Sequence, residues 1–341
     1  MSALRQFACI VFAAVALWVG GTARAPAAGE FFAGKTISLL IGFGAGGEDD
    51  LWARAIARHL GNHIPGNPAI IPENAPGAGG LLVANRLYNT APKDGTVIGL
   101  MNRGIPFEPL LGGQGDQFDA LKFNYIGSPG RDTTVCAARK DVAVKTMQDL
   151  YRTVLTVGGT GSGADTAIYP RFLSALLGMK FKVVLGYKGS HDVQLAMERN
   201  EVQGVCLAYD SLERGTLAQE HRINVLLQAS LEPDSRLKGI PYGLEFTQAP
   251  AERAALQLFF VRASVGRPFV APPGVPESRI AALRQGFDAT LRDPAFLADA
   301  AKQKLRVVPI SGAQIANLIA GAYKTPADIV QRTIEAMGRT K

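Results

Sequence analysis

The hydrophobic and polar positions in the first third of the chain alternate between short apolar runs and longer stretches with helical spacing. Residues 36–43 (TISLLIGF) form an almost continuous apolar run, which predicts a strand buried on both faces. A glycine-rich turn follows, and residues 48–60 place apolar side chains along one helix face. The same order of elements is predicted again over residues 69–71, 81–89 and 96–101. This alternation predicts an α/β fold with parallel strands.

The pattern breaks at residues 127–130 and then restarts. Apolar runs over 134–138 and 154–157 predict strands, and the turn GGTGSGAD (158–165) leads into a helix predicted over 166–177. A further apolar segment, residues 256–261, is placed to carry the chain back to the first half. We therefore predict two lobes, with lobe one formed by residues 28–128 and 256–341 and lobe two by residues 129–255.

Residues 1–27 have the features of a secretory signal peptide. Arg5 gives a positive start, residues 7–19 are apolar, and small residues follow up to Ala27. The apolar run is shorter than the roughly 20 residues that a membrane helix needs. We expect export to the periplasm with cleavage near residue 27, and no membrane insertion afterwards. A membrane anchor is the alternative.

The net charge of +7 is spread along the chain, with no lysine and arginine run that interleaves with aromatic residues. A nucleic-acid groove is therefore not expected, whereas scattered positive charge suits the attraction of small anions. The histidines form no metal motif, because Gly61 and Pro65 interrupt the helical spacing of His59 and His63. We expect neither a metal nor a cofactor.

Two cysteines, Cys136 and Cys206, remain after removal of the signal peptide. An even number in an exported protein permits one disulfide. Both residues lie in apolar, strand-like runs, so two buried free thiols are the alternative.

The segment GFGAGG, residues 42–47, matches the dinucleotide-binding fingerprint between a predicted strand and a predicted helix. The helix begins with Glu48, Asp49 and Asp50, which places negative charge where a pyrophosphate would sit. The nearest candidate for the acidic ribose partner is Glu73, which comes later than the usual spacing of about 20 residues. An exported dinucleotide-dependent enzyme stays an alternative.

Three glycine-rich turns follow predicted strands, at residues 42–47, 76–80 and 159–163. Backbone N–H groups in such a turn, at the start of a helix, can bind one carboxylate. Since loops at the carboxyl ends of parallel strands line one crevice, turns from both lobes are placed to face each other across a cleft. Ordinary tight turns between strands and helices are the alternative.

Several motifs occur in the same order as in the solute receptors of tripartite tricarboxylate transporters, also called Bug receptors. They are the run 37–54, ENAPGAGG (73–80), Asp94-Gly95, the GTGSG turn, Tyr187-Lys188-Gly189 and APPGVPES (271–278). The chain resembles this family over nearly its whole length after the signal peptide. The resemblance implies a two-lobe periplasmic binding protein fold of type II, with hinged lobes that each have a central, mostly parallel sheet.

The resemblance also implies a function in transport and not in catalysis. A receptor of this kind closes over a small organic carboxylate and delivers it to a two-component membrane permease. We expect a monomer that carries out no bond chemistry. A receptor whose output is a sensor protein is a further alternative that the sequence does not separate from transport.

The first loop departs from the family pattern P-F-P-P-G-G-A-T-D. Gly42, Gly44 and Ala45 stand where the family has prolines, and Glu48 and Asp49 stand where it has Ala and Thr. Either these two acids point outward and cap the helix, or the ligand carries a cationic or hydroxyl group there. The ligand itself stays open among aliphatic di- or tricarboxylates, aromatic carboxylates and amino acids.

Ligand contacts are expected from both lobes. Arg103 directly follows a predicted strand, where it could clamp a carboxylate in bidentate fashion; a surface arginine is the alternative. Tyr187, in a turn between a strand and a helix, could cover the ligand body or only pack at the surface. The other expected ligand-binding residues are Phe43, Ala45, Gly46, Gly47, Asp50, Gly77, Ala78, Gly79, Gly80, Thr160, Gly161 and Ser162.

Overall fold

The computed structural model describes residues 31–131, 133–161 and 163–339. The expected signal peptide lies outside these residues, as does Ser162. The strands of the first sheet are β1 (Thr36–Ile41), β2 (Ala69–Asn74), β3 (Val97–Leu100), β4 (Asn124–Ser128), β10 (Phe269–Ala271) and β11 (Ile310–Ser311). The strands of the second sheet are β5 (Thr134–Arg139), β6 (Leu155–Gly159), β7 (Phe181–Leu185), β8 (Gly204–Ala208) and β9 (Ile223–Ala229).

The helices cover the faces of these sheets. They include α1 (Glu48–Leu60), α2 (Leu81–Asn89), α3 (Asp165–Leu177), α4 (Ser190–Glu198), α5 (Tyr209–Glu213), α6 (Thr216–Gln219), α7 (Pro250–Ser264), α8 (Glu277–Thr290), α9 (Pro294–Lys302), α10 (Gly312–Ala322) and α11 (Ala327–Ala336). In the described part of the chain, no helix has both the length and the apolar character to cross a membrane.

The predicted α/β fold with two lobes is confirmed: each sheet is mixed, and most strands of each run in the same direction. The first sheet has the order β11-β4-β10-β3-β1-β2, in which only β1, β2 and β3 pair in parallel. The second has the order β7-β6-β8-β5-β9, in which β5 is antiparallel to both neighbours. The strands that run in the opposite direction are β5, which follows the break in the pattern, and the short strands β10 and β11.

Residues 127–130, predicted as a break, include the end of β4, which is buried between β10 and β11, so the break begins only after Ser128. Residues 256–261 lie inside helix α7, which leads to β10, so this segment does carry the chain back to the first sheet. The first sheet takes its strands from residues 36–128 and 269–311, and the second from 134–229. The exact lobe boundaries stay a prediction.

The direction of the strands decides where the functional loops lie. Parallel pairing brings the carboxyl ends of β1, β2 and β3 to one edge of the first sheet, and the antiparallel β10 begins at that edge. In the second sheet, β6, β7 and β8 end at a shared edge, where β5 begins. The segments that leave these two edges contain all the predicted ligand-binding residues.

A disulfide joins β5 to β8 at the centre of the second sheet. Cys136 and Cys206 lie directly opposite each other in the antiparallel register, both fully buried, with their sulfur atoms 1.98 Å apart. The bond links positions separated by 70 residues and so ties the first half of lobe two to its second half.

Candidate functional site

The first loop, residues 42–47, is held in shape by the buried carboxylate of Asp50. This carboxylate accepts hydrogen bonds from the Gly46 backbone N–H at 2.9 Å, from Arg54 Nε at 2.9 Å and from Asn74 Nδ2 at 2.8 Å. The Asn74 amide also donates to the Phe43 carbonyl at 3.0 Å. Burial opposes ionisation, but these hydrogen bonds hold the pKa of Asp50 below its usual value. Asp50 therefore shapes the loop; the other predicted positions there, Ala45 and Gly47, are exposed.

The second loop, residues 75–80, lies against the first at the end of β1. A Cβ atom added at Gly42 would come within 2.7 Å of Gly80 Cα, so the two backbones are in contact. The turn closes through a hydrogen bond from the Gly80 N–H to the Gly77 carbonyl at 2.9 Å. Gly79 and Gly80 have φ values of +66° and +95°, which favour glycine. Ala78 lines a separate surface pocket of about 390 Å³.

In lobe two, the turn after β6 is closed by hydroxyl groups. The Thr160 backbone N–H donates to Thr166 Oγ1 at 3.0 Å, and the two hydroxyl oxygens are 3.1 Å apart. The Gly161 carbonyl accepts the Ala164 N–H at 3.1 Å, which completes the entry into α3. The prediction for the neighbouring Ser162 falls outside the described residues.

Tyr187 follows β7 and packs inside lobe two. Its Cε2 atom lies 3.2 Å from the position that a Cβ would take at Gly158 in β6. The ring is half-buried against the apolar cluster formed with α4, and burial raises the pKa of its hydroxyl. Tyr187 therefore stands at the same sheet edge as the turn after β6.

Arg103 lies where the loops of the two lobes meet. It follows β3, its side chain is only 9% exposed, and both Nε and Nη2 are 2.7 Å from Oδ2 of Asp165, the first residue of α3. Burial opposes the charge of Asp165, but the guanidinium groups of Arg103 and Arg262 hold the pKa of this carboxyl below its usual value. The sequence predicted that Arg103 would clamp the carboxylate of a ligand; in this structure its partner is the carboxylate of Asp165, and the contact with a ligand stays a prediction.

Glu48 and Asp49, at the start of α1, face arginines and do not point into solvent as simple helix caps. Glu48 Oε1 is 3.0 Å from Arg214 Nη2 of lobe two and 3.0 Å from Arg267 Nη2. The Ser211 hydroxyl donates to the other Glu48 oxygen, and Arg267 Nε is 3.1 Å from Asp49 Oδ1. Burial opposes the charge, but Arg267 and Arg214 lower the pKa of Glu48 to about 2. These contacts form a second bridge between the lobes.

A further buried arginine, Arg262 at the end of α7, lies next to the Arg103 loop. Its Nη2 atom is 2.1 Å from the position of a Cβ added at Gly104, so the guanidinium occupies the space that this glycine leaves. The guanidinium carbon is 5.0 Å from the centre of the Phe259 ring, and that ring also packs against Tyr169 of α3 at 5.0 Å. Arg262 is only 2% exposed.

Five charged or polar residues at this junction were not predicted from the sequence: Asp165, Ser211, Arg214, Arg262 and Arg267. Asp165 is the last residue of the GGTGSGAD turn, and its position after a predicted strand could have indicated that it lies at the cleft. Arg262 and Arg267 precede β10, a strand whose three residues give no pattern of their own. In the described part of the chain, no group of three or more His, Cys, Asp and Glu side chains could hold a metal ion.

The similarity of the sequence to known proteins identifies its family. The sequence model of the tripartite tricarboxylate transporter family receptor matches residues 52–334. A relative from Cupriavidus necator, a UPF0065 protein in the gbd 5' region, is 26% identical over 317 residues and 90% of each chain is covered.

Solved structures show the same fold at low sequence identity. An R. palustris protein solved with adipate has a TM-score of 0.66 at 18% identity, covering 88% of this chain and 97% of its own. MatC from Rhodopseudomonas palustris with bound malate has a TM-score of 0.64 at 18% identity, covering 87% and 99%. Because the family's sequence model spans most of the chain, this protein belongs to the tripartite tricarboxylate transporter receptor family.

Proposed function

We propose that this protein is a periplasmic receptor that binds a small organic carboxylate between its two lobes and delivers it to a two-component membrane permease. The observation that carries the proposal is the buried pair of Arg103 and Asp165, in which a guanidinium at the end of a lobe-one strand already binds a carboxylate from lobe two. Arginine presents two N–H groups in the geometry that a carboxylate accepts. Family membership and the malate and adipate structures of similar proteins support the same ligand class.

The proposed mechanism is binding and closure, without bond chemistry, cofactor or metal, by a monomer. Lobe one (28–128 and 256–341) and lobe two (129–255) would move about a hinge, and a ligand that contacts both would favour the closed form. The proposed lobe-one contacts are Phe43, Ala45, Gly46, Gly47, Gly77, Ala78, Gly79, Gly80 and Arg103, with Asp50 holding their loop. The proposed lobe-two contacts are Thr160, Gly161, Ser162 and Tyr187.

The charges at the junction support an anionic ligand. Arg103, Arg262 and Arg267 are all at most 8% exposed and lie around loops that leave the carboxyl edges of the strands. A buried guanidinium cannot lose its charge and must be balanced by an anion. Acidic side chains of the protein provide part of this balance, and a ligand carboxylate would add to it.

A thermal-shift screen of residues 28–341 tests the binding step. The panel contains aliphatic and aromatic carboxylates, amino acids and NAD. A ligand at 100 times its Kd adds about 2.7 kcal/mol to the free energy of unfolding, which raises the melting temperature by several degrees. We expect a shift with one class of carboxylate; a shift with NAD alone would contradict the proposal and favour the dinucleotide-dependent enzyme.

The Arg103→Lys variant tests the site with the ligand that the screen identifies. Lysine keeps the charge but loses the bidentate geometry, so we expect at least a tenfold rise in Kd, equal to about 1.4 kcal/mol. Arg222→Lys is the matched control, because Arg222 is 62% exposed and pairs with Glu220 inside lobe two. If the two variants bind the ligand with equal affinity, Arg103 does not contact the ligand.

Export and transport need tests in cells. The mass of the protein from a periplasmic fraction shows whether cleavage occurs near residue 27. Uptake of the identified ligand, compared between the wild-type strain and a strain that lacks this protein, separates transport from signalling. Loss of uptake supports delivery to a permease, and unchanged uptake with a lost transcriptional response supports the sensor alternative.

A further inference from the structure

Buried polar atoms without hydrogen-bond partners concentrate around the Arg103–Asp165 pair. Within the described residues, Arg262 Nε and Nη1 make no hydrogen bond, although the side chain is almost fully buried. Tyr169 Oη and Thr134 Oγ1 are buried beside each other and have no further hydrogen-bond partner in the described part of the chain. Buried groups of this kind are normally satisfied, and those that are not require an explanation such as a ligand or water. A ligand that binds here would therefore supply hydrogen-bond partners to these buried groups.

These atoms belong to one place in the fold. Tyr169 lies one helical turn after Asp165 on α3, and Thr134 begins β5 at the sheet edge where β8 ends. Arg262 packs against Gly104, the residue after Arg103, and its Nη2 is 4.0 Å from Glu108 Oε1. The guanidinium groups of Arg103 and Arg262 both act electrostatically on Asp165 and Tyr169, so charged groups from both lobes meet at this junction.

The chemistry of this cluster has two parts. Arg103 and Arg262 can only donate hydrogen bonds, and both are positively charged, so they require carboxylate oxygens. Asp165 is ionised and can only accept, so it requires a donor, and a cationic donor best. A ligand with carboxylates alone would place its negative charge against Asp165. The other acids at the junction already face arginines: Glu48 and Asp49 face Arg214 and Arg267. Glu108 pairs with Arg339 at 2.9 Å and lies 4.0 Å from Arg262.

We propose that the ligand is amphoteric and carries a protonated amine next to its carboxylate. The ligand carboxylate binds Arg103 and the unsatisfied N–H groups of Arg262, while the ammonium group binds Asp165. Asp165 thereby exchanges its guanidinium partner for an ammonium partner and keeps its charge balanced. This assignment rests on the proposed function, because it places the ligand in the cleft between the lobes, and it makes Asp165 the residue that selects for the amine.

Calorimetric titration of residues 28–341, refolded from denaturant to remove any bound ligand, tests the assignment with pairs of compounds that differ only in the amine. The pairs are L-aspartate with succinate, L-glutamate with glutarate, and L-phenylalanine with 3-phenylpropionate. We expect one amino acid to bind at least tenfold more tightly than its deaminated partner. If a deaminated acid binds equally or better, the amphoteric ligand is excluded while the carboxylate receptor stands. If only carboxylate ligands outside these pairs bind, the amphoteric ligand is likewise excluded, and if none binds, both proposals fail.

The Asp165→Asn variant tests the role of the charge. Asparagine has nearly the same shape and can still accept a hydrogen bond from Arg103, but it offers no charge to an ammonium group. We expect affinity for the amino acid to fall at least tenfold, with unchanged or higher affinity for its deaminated partner. Asp165→Glu retains the charge and should keep the preference for the amine. A loss that is equal for both compounds would mean that Asp165 only joins the lobes, which contradicts the proposal.

Asp141→Asn is the matched control. Asp141 lies in lobe two as well, is 63% exposed and pairs only with the nearby Arg139 among the contacts described. Its replacement should leave both affinities unchanged. Circular dichroism and the melting temperature of each variant show that it is folded, so a change in preference between paired compounds reports on the site.

Discussion

Glu48 is a buried carboxylate that stays ionised because two arginines face it. Arg267 comes from the same lobe and Arg214 from the other, each with a nitrogen 3.0 Å from Glu48 Oε1. A carboxylate removed from water without such partners would become protonated. With them, the pKa of Glu48 falls from 4.5 to about 2. The charge of this residue is therefore linked to the stability of the folded protein.

The Glu48→Gln variant should lose stability in a manner that depends on pH. Because the folded pKa lies below the unfolded value, the charge of Glu48 stabilises the protein above pH 4.5, and this contribution disappears as the pH falls towards 2. A shift of this size corresponds to about 3 kcal/mol, at 1.36 kcal/mol for each pKa unit. Urea unfolding of wild type and variant between pH 7 and pH 3 measures the difference.

Glu277→Gln is the control for this prediction, since Glu277 is 78% exposed and pairs only weakly with Arg284 at 3.3 Å. Its effect should stay within about 0.5 kcal/mol at every pH. A difference between wild type and Glu48→Gln that does not shrink in acid would show that the charge of Glu48 is not what stabilises the junction.

For single residues, the sequence predicted the position of a side chain better than it predicted the residue that the side chain contacts. Arg103 was predicted to face a cleft because it directly follows a strand, and the structure buries it at the junction of the loops. Its partner Asp165 is 62 residues away, and no local pattern reports a contact of that separation. Asp50 was expected to contact the ligand; in the structure its carboxylate accepts hydrogen bonds from Gly46 of the loop, Arg54 of α1 and Asn74 of β2, and the ligand contact stays a prediction.

Among the elements, the first and second loops of the lobe-one site are in close backbone contact. Gly42 and Gly80 approach so closely that a methyl group would strike backbone and not a flexible side chain. Backbone atoms can move away only if one loop shifts as a whole. The positions of the two candidate ligand loops are therefore coupled.

Gly42→Ala should separate these loops. We expect a loss of about 1–3 kcal/mol in the free energy of unfolding, as found when an extra methyl group is forced into a packed site. Ligand affinity should fall with it, because both loops supply proposed contacts. Gly44→Ala is the control, since neither glycine has a positive φ and nothing lies within 4 Å of the added Cβ at Gly44. Equal stability of the two variants would show that the loops move freely.

The elements themselves were predictable where the local pattern was strong. Helices over 48–60 and 81–89 occur with the predicted bounds, because their apolar spacing and flanking glycines mark both face and ends. The strands β4, β9, β10 and β11 were not predicted. A three-residue strand such as β10 has no periodicity, and its place between β3 and β4 depends on pairing with distant segments.

At the scale of the whole molecule, two groups of ion pairs join the lobes. Arg103 with Asp165 forms one, and Glu48 with Arg214 and Ser211 forms the other. Both connect the carboxyl edge of one sheet to that of the other. At these two edges the lobes are therefore joined through charged side chains, and under the proposed mechanism these contacts would weaken or exchange when the cleft opens.

Arg214→Gln should shift the protein without ligand towards more open forms. The variant removes the lobe-two guanidinium from Glu48 but leaves Arg267 to balance the buried charge. We expect a larger radius of gyration by small-angle X-ray scattering without ligand, and the wild-type value at saturating ligand. Arg222→Gln, at an exposed pair within lobe two, should leave both values unchanged. A radius unaffected by Arg214→Gln would show that this ion pair does not hold the lobes together.

The sequence by itself determined the α/β class, the order of the strands and helices in its strongly patterned parts, the glycine-rich loops and the family resemblance. Each of these follows from local spacing or from motifs in order along the chain. Only the tertiary structure decided the mixed strand directions, the placing of Arg262 and Asp165 beside Arg103, and the bridge from Glu48 to Arg214. The reason is physical: such contacts join residues that are far apart in sequence, and their energies depend on burial and distance, which exist only once both lobes have folded and met.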